Sequence, residues 1–169
     1  MRAPILAILL TTLAAASAQA EPPMLGTAAI QTAEGKSAGT ATLIAGPHGL
    51  LVTGSFIDLP PGERGFHIHE TGACTPDFAA AGGHLNPFER EHGFLVESGF
   101  HAGDLPNIYV AEDGTANLQV FNTELVGDVS NILFDEDGSA FVIHAGPDDY
   151  MDKDSAGDRI ACGVIEPAQ

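Results

Sequence analysis

Six of the seven histidines in this chain fall, with one aspartate, in a single ordered pattern. Gly-Phe-His67-Ile-His69-Glu comes first, then Gly-Gly-His84-Leu-Asn-Pro and Glu-His92-Gly. His101-Ala-Gly-Asp104-Leu follows, and Val-Ile-His144-Ala closes the series. Imidazole is the commonest protein ligand for zinc and copper, and a carboxylate can complete a position beside it. Seven donors are too many for one tetrahedral ion. They suit two adjacent metals that share one ligand, with redox chemistry at one ion and structural support at the other. The fold must therefore bring together donors spread from position 67 to position 144.

The rest of the sequence reads as short β-type runs between Gly, Pro, Asp and Asn turns, with little helical periodicity. Candidate strands are Leu25–Gln31, Gly39–Ala45, Leu50–Asp58, Gly65–His69, Ile108–Ala111, Ala116–Phe121, Ser139–His144 and Arg159–Ile165. Gly46-Pro47-His48-Gly49, Pro60-Pro61-Gly62, Glu112-Asp113-Gly114 and Glu136-Asp137-Gly138 supply the turns, and His48 reads as an exposed turn residue. Eight such strands in one domain suggest an antiparallel sandwich or barrel. Two stretches do not look like strands: Glu70 to Asn107, which holds four of the candidate ligands, and the acidic Ala145 to Asp158. Loops this long within a compact domain are usually functional.

Residues 1–20 read as a secretory signal peptide: Arg2 as the positive start, Ile5 to Leu10 as the apolar run, Ala18-Gln19-Ala20 as the cleavage site. The domain is then 21–169, and no other segment has the length and apolarity to cross a membrane. In an oxidising compartment Cys74 and Cys162 read as a disulfide, the alternative being two buried free thiols. Charge is strongly acidic, 23 Asp and Glu against 6 Lys and Arg, which argues against nucleic acid as a partner.

His67 and His69 are two apart in a predicted strand, so both imidazoles point to one face. His144 ends another strand and can approach from a neighbour. Such a strand-borne trio suits copper, which must change oxidation state with little reorganisation. The loop trio His92, His101 and Asp104 suits zinc. His84 lies between the two groups and can ligate through both ring nitrogens, which makes it a natural bridge.

These motifs resemble those of copper–zinc superoxide dismutases. The resemblance covers nearly all of 21–169 and is densest from Gly65 to Gly163, ending in Gly157-Asp-Arg159-Ile-Ala-Cys162-Gly-Val-Ile. It implies an all-β, eight-stranded antiparallel Greek-key barrel, an immunoglobulin-like sandwich with two long functional loops. It implies one copper on His67, His69, His84 and His144, one zinc on His84, His92, His101 and Asp104, and a Cys74–Cys162 disulfide tying the long loop to the last strand. Asp148 resembles the carboxylate that links a copper histidine to a zinc histidine, although Asp149 lies beside it. Arg159 resembles the arginine that lines the copper channel and draws in the anion. His84 resembles the histidine that leaves copper, takes a proton when copper is reduced, and later returns it.

The implied activity is dismutation of superoxide to dioxygen and hydrogen peroxide, protecting the cell envelope from a periplasmic location. The protein would act as a monomer or homodimer. The acidic balance stands in tension with an anionic substrate, and Arg159 and Lys153 are the cations available near the second loop. The alternative is a non-enzymatic copper-binding or copper-delivery protein on the same fold. Delivery domains often lack part of the ligand set or carry clustered Met, and this chain has the whole set and three scattered Met.

Overall fold

The computed structural model describes residues 23–169. The expected signal peptide at 1–20 lies outside the described residues. Ten strands follow in order: β1 (Met24–Thr32), β2 (Ser37–Gly46), β3 (Gly49–Phe56), β4 (Gly62–Arg64), β5 (Phe66–His69), β6 (Ile108–Val110), β7 (Ala116–Asn122), β8 (Ala140–His144), β9 (Arg159–Val164) and β10 (Glu166–Pro167). Helix among the described residues amounts to a 3-10 turn at Phe78–Ala81 and one α-turn, α1 (Ser130–Leu133).

All pairings between these strands are antiparallel, and the main sheet runs β5-β8-β9-β1-β2-β3-β7, with β10 beside β1. A second ladder pairs β4 with β6. β4 runs into β5 through Gly65, and β6 runs into β7 through the Glu112-Asp113-Gly114 turn. The small ladder thus spans the gap between the two edge strands of the curled sheet. All eight expected strands are present, but the segment expected at Ile108–Ala111 lies in the small ladder.

The period-2 pattern explains the curl's interior. Ile30 of β1, Ala41 and Leu43 of β2, and Leu50, Val52 and Phe56 of β3 are fully buried, while Thr40 and Ser55 between them face solvent. Phe56 meets Phe66 edge-on at 5.4 Å between centroids, and Phe66 stacks on Phe141 at 5.1 Å. Each such buried aromatic contributes on the order of 1.5–3 kcal/mol of transfer free energy.

β5 positions the metal chemistry. Phe66 and Ile68 point into this core, so the alternate residues His67 and His69 point to the opposite face. That face is also covered, because every residue of β5 and β8 is buried. Its lid is the long loop between β5 and β6. Cys74 and Cys162 are joined by a disulfide with Cα atoms 5.8 Å apart, within the usual range for a bridge. It fastens this loop to β9.

Candidate metal centre

One edge of β5 pairs with β8, and its other edge is taken by the loop. The Ile68 N–H donates to Gly103 O at 2.9 Å, the Leu85 N–H donates to Ile68 O at 2.9 Å, and the Gly103 N–H donates to Leu85 O at 2.8 Å. This stitching sets His69 beside His84 and His67 beside Asp104 as bridge partners. The approach demands glycine at 103, where an ideal Cβ would lie 2.2 Å from the Ile68 carbonyl oxygen. On the other side, His144 follows a register shift at the end of β8, and its N–H donates to Gly65 O at 2.9 Å.

Two donor groups result. His67, His69, His84 and His144 hold ligand atoms within 4.8 Å of one another, and so do His84, His92, His101 and Asp104. His84 belongs to both. The structure thus brings together all seven donors singled out from the sequence, while His48 stands exposed in its turn, apart from both groups.

Hydrogen bonds fix which nitrogen each ring offers. His69 Nδ1–H donates to Gly82 O at 3.1 Å and His144 Nδ1–H donates to Gly157 O at 3.0 Å. His67 Nε2–H donates to Asp148 Oδ2 at 2.8 Å. A carbonyl or carboxylate only accepts, so the opposite nitrogens carry lone pairs. Those atoms, His67 Nδ1, His69 Nε2 and His144 Nε2, are buried without a partner. Leaving a buried polar atom unpaired costs roughly 1–3 kcal/mol. Three converging on one point are accounted for by a cation that takes nitrogen ligands.

In the second group the ring nitrogens gather on a single carboxylate oxygen. His84 Nδ1 lies 2.8 Å, His92 Nδ1 3.0 Å and His101 Nδ1 3.4 Å from Asp104 Oδ1. Three imidazoles and a carboxylate drawn this close match the donor types that zinc takes. With Nδ1 of His84 committed here, its Nε2 is left for the first group.

Asp148 lies between the groups. Its Oδ2 accepts from His67, and its Oδ1 accepts from His92 Nε2 at 3.1 Å. Asp148 is 3% exposed, whereas Asp149 faces solvent and caps the main chain of Met151 and Asp152.

Electrostatics follow burial. Desolvation pushes His67 and His144 down to about 4 and His69 to about 2, so all three are neutral and able to ligate at physiological pH. For His92, burial acts downward but the carboxylates of Asp104 and Asp148 outweigh it and raise it to about 10. Burial would raise both of those aspartates, yet the surrounding imidazoles hold them well below the usual carboxylate range.

A cleft opens from solvent onto the first group, lined by His69, His84, His144, Lys153, Asp154 and Arg159 among others. The Arg159 guanidinium donates to the carbonyls of Phe78 and Gly82. Gly82 O therefore anchors both Arg159 and His69. Asn107 and Tyr150, which bond to Asp148, are site residues that sequence reading passed over.

A curled antiparallel barrel that carries two abutting imidazole-rich groups sharing one histidine defines a two-metal protein. Residues 34–165 match the family model described as copper/zinc superoxide dismutase. The chain belongs to that family. It is 47% identical over 139 residues to superoxide dismutase (Cu-Zn) 1 of Aquifex aeolicus, a match covering 79% of this chain and 82% of that one. It is 41% identical over 147 residues to superoxide dismutase (Cu-Zn) of Caulobacter vibrioides, covering 83% and 84%. The crystal structure of a SOD-like protein from Bacillus subtilis superposes with a TM-score of 0.77 at 38% identity, covering 85% of this chain and 100% of that chain.

Proposed function

We propose that this protein dismutates superoxide to dioxygen and hydrogen peroxide at copper held by His67, His69, His84 and His144, with zinc on His84, His92, His101 and Asp104. The observation that carries this reading is the set of three buried, unpartnered nitrogens facing one point beside a shared His84. When bound, copper supplies the one-electron couple that accepts the electron of one superoxide and passes it to the next, while zinc is redox-silent.

The chain's residues do the rest. His67, His69 and His144 are locked by Asp148, Gly82 O and Gly157 O, so their lone pairs stay aimed through both half-reactions. His84 Nε2 would hold one of the two protons that the second superoxide takes up, solvent at the open cleft supplying the other, and His84 Nδ1 stays with the zinc group. Arg159, anchored on two loop carbonyls, presents its charge at the cleft and orients the anion.

The disulfide and the bacterial relatives fit an exported protein. We place it in the periplasm, with residues 1–20 as signal peptide, working as a monomer or homodimer. The test is superoxide decay by pulse radiolysis on protein loaded with one copper and one zinc. A near-diffusion-limited catalytic rate, lost in His144→Ala while zinc is retained, is the expected result. A rate no greater than that of the copper-free protein at full metal loading would overturn the reading in favour of copper storage or delivery.

A further inference from the structure

Asp148 can orient His67 and His92 only if its own main chain is fixed, and the segment 145–158 that carries it has no regular structure of its own. Asn107 supplies the fixing. Its Nδ2–H donates to Asp148 O at 2.9 Å, and its Oδ1 accepts from the Asp148 N–H at 2.9 Å. The Asn107 N–H in turn donates to Tyr150 Oη at 2.9 Å, and the Tyr150 N–H donates to Asp148 Oδ1 at 2.7 Å. These four bonds form a closed circuit through three residues. Asn107 immediately precedes β6, so the circuit hangs the second loop from the barrel wall, three residues beyond the ligand Asp104.

Tyr150 adds a second observation. It sits at φ 64°, a left-handed conformation unfavourable for a side chain of this size. Such conformations persist where the surroundings over-determine them, and they gather at functional sites. Here the Leu95 N–H donates to Tyr150 O at 3.1 Å, and the Tyr150 ring packs 5.4 Å from Phe94. An ideal Cβ at Gly93, next to the ligand His92, would lie 2.0 Å from Tyr150 O. The loop that carries the zinc ligands and the loop that carries Asp148 therefore meet without spare room.

We propose that Asn107 is a positioning residue for both metal sites, acting through Asp148 and seconded by Tyr150. The inference rests on the two-metal reading above. A simple loop latch would alter stability alone. A positioning residue must alter metal affinity, and must do so only while the Asp148 carboxylate is present.

The experiment is a double-mutant cycle on copper and zinc affinity, measured by competition with chromophoric chelators, with the Cu(II) electron paramagnetic resonance spectrum recorded for each variant. Asn107→Ala and Asp148→Asn are each expected to weaken both metals roughly 10- to 100-fold and to change the Cu(II) spectrum. The pair Asn107→Ala/Asp148→Asn is expected to bind no more weakly than Asp148→Asn alone. Unchanged affinities in Asn107→Ala, or losses that add in the pair, overturn the proposal. Should Asn107→Ala fail to fold, Tyr150→Phe keeps the ring, removes only the Oη acceptor, and carries the same cycle. Its expected loss is about 2- to 13-fold, the worth of one net hydrogen bond, again absent in the Asp148→Asn background. A wild-type chain that takes up neither metal refutes the two-metal reading itself, and the inference falls with it.

Discussion

Breaking the Cys74–Cys162 bridge tests how the long loop is kept in place. The bridge closes a loop of sequence separation 88. Loop-closure entropy for that length amounts to about 4–5 kcal/mol at 25 °C. Unfolding a domain of this size releases about 2.1 cal/mol/K per residue, so the loss corresponds to a fall in Tm of roughly 15 °C. Calorimetry should be run on the metal-free protein, since bound metal stabilises the native state and would mask the effect. Two perturbations separate the causes. Reducing the wild type removes the cross-link and leaves both sulfurs in place. Cys74→Ala/Cys162→Ala also empties the space that Cys162, 2% exposed, fills between Ala81, Ala140 and Val142. Alanine is preferred to serine because a hydroxyl there would be buried. The expected order is oxidised wild type, then reduced wild type about 15 °C lower, then the alanine pair slightly lower again. A reduced wild type within about 3 °C of the oxidised protein would refute the reasoning and mean that backbone stitching alone holds the loop.

Other expectations follow from the site. Arg159→Glu keeps copper and zinc at wild-type content but lowers the superoxide rate at least about 10-fold, the worth of one charge-assisted hydrogen bond, and reduces its salt dependence; equal kinetics would remove Arg159 from the mechanism. Asp154→Asn frees Lys153, whose Nζ lies 2.6 Å from the Asp154 carboxylate, and should raise the rate at low ionic strength with no gain at about 1 M salt, where the Debye length is about 3 Å. In the metal-free protein, His67, His69 and His144 resist protonation when folded. Acid from their ordinary value near 6.5 down to about 4 therefore favours the unfolded chain by roughly 1.4 kcal/mol per pH unit for each histidine. His92 works oppositely: its contribution is full below about 6.5 and lost as pH rises towards about 10. Denaturant midpoints of the chelated protein should peak near pH 6.5, and a midpoint still rising below pH 6 would contradict the assignment.

Much of the site was legible because its residue types are chemically rare and its strand pattern is local. His67 and His69, two apart between Phe66 and Ile68, declare one ligand face and one core face within four residues. What could not be read is the pairing of β5's second edge with the loop near 85 and 103, because that register is set by main-chain bonds between segments distant in sequence. The strand expected at Gly65–His69 begins at Phe66, and the residues before Gly65 form a separate short strand, β4. At Gly65 an ideal Cβ would lie 2.8 Å from Ala156 Cβ, and the Gly65 N–H leaves the ladder to reach Gly146 O at 2.8 Å. Asp148 and Asp149 are equivalent by type and separated only by burial. Asn107 and Tyr150 carry no ligand chemistry, so a search for metal donors passes over them, although their bonds to Asp148 position the donors.

The excess of acidic residues and the anionic substrate are reconciled by where the charges lie. At physiological ionic strength the Debye length is about 8 Å, so exposed carboxylates farther than that from the cleft are largely screened. The ionisable groups lining the mouth besides the histidines are Glu70, Lys153, Asp154 and Arg159, a balanced set within a chain of net charge −17. Arg159 is half-buried, so its field is less screened than that of exposed Lys153 and Asp154, and it acts on His69 and His144 directly. Asp104 and Asp148 are sequestered behind the imidazoles they orient, where their charge is offset by the cations those imidazoles would hold. On the proposed reading, Arg159 contributes most to the potential that superoxide meets on the last few ångströms, and the cleft concentrates it. On this proposal the acidic exterior bears on solubility, while capture falls to one arginine fixed on the carbonyls of Phe78 and Gly82.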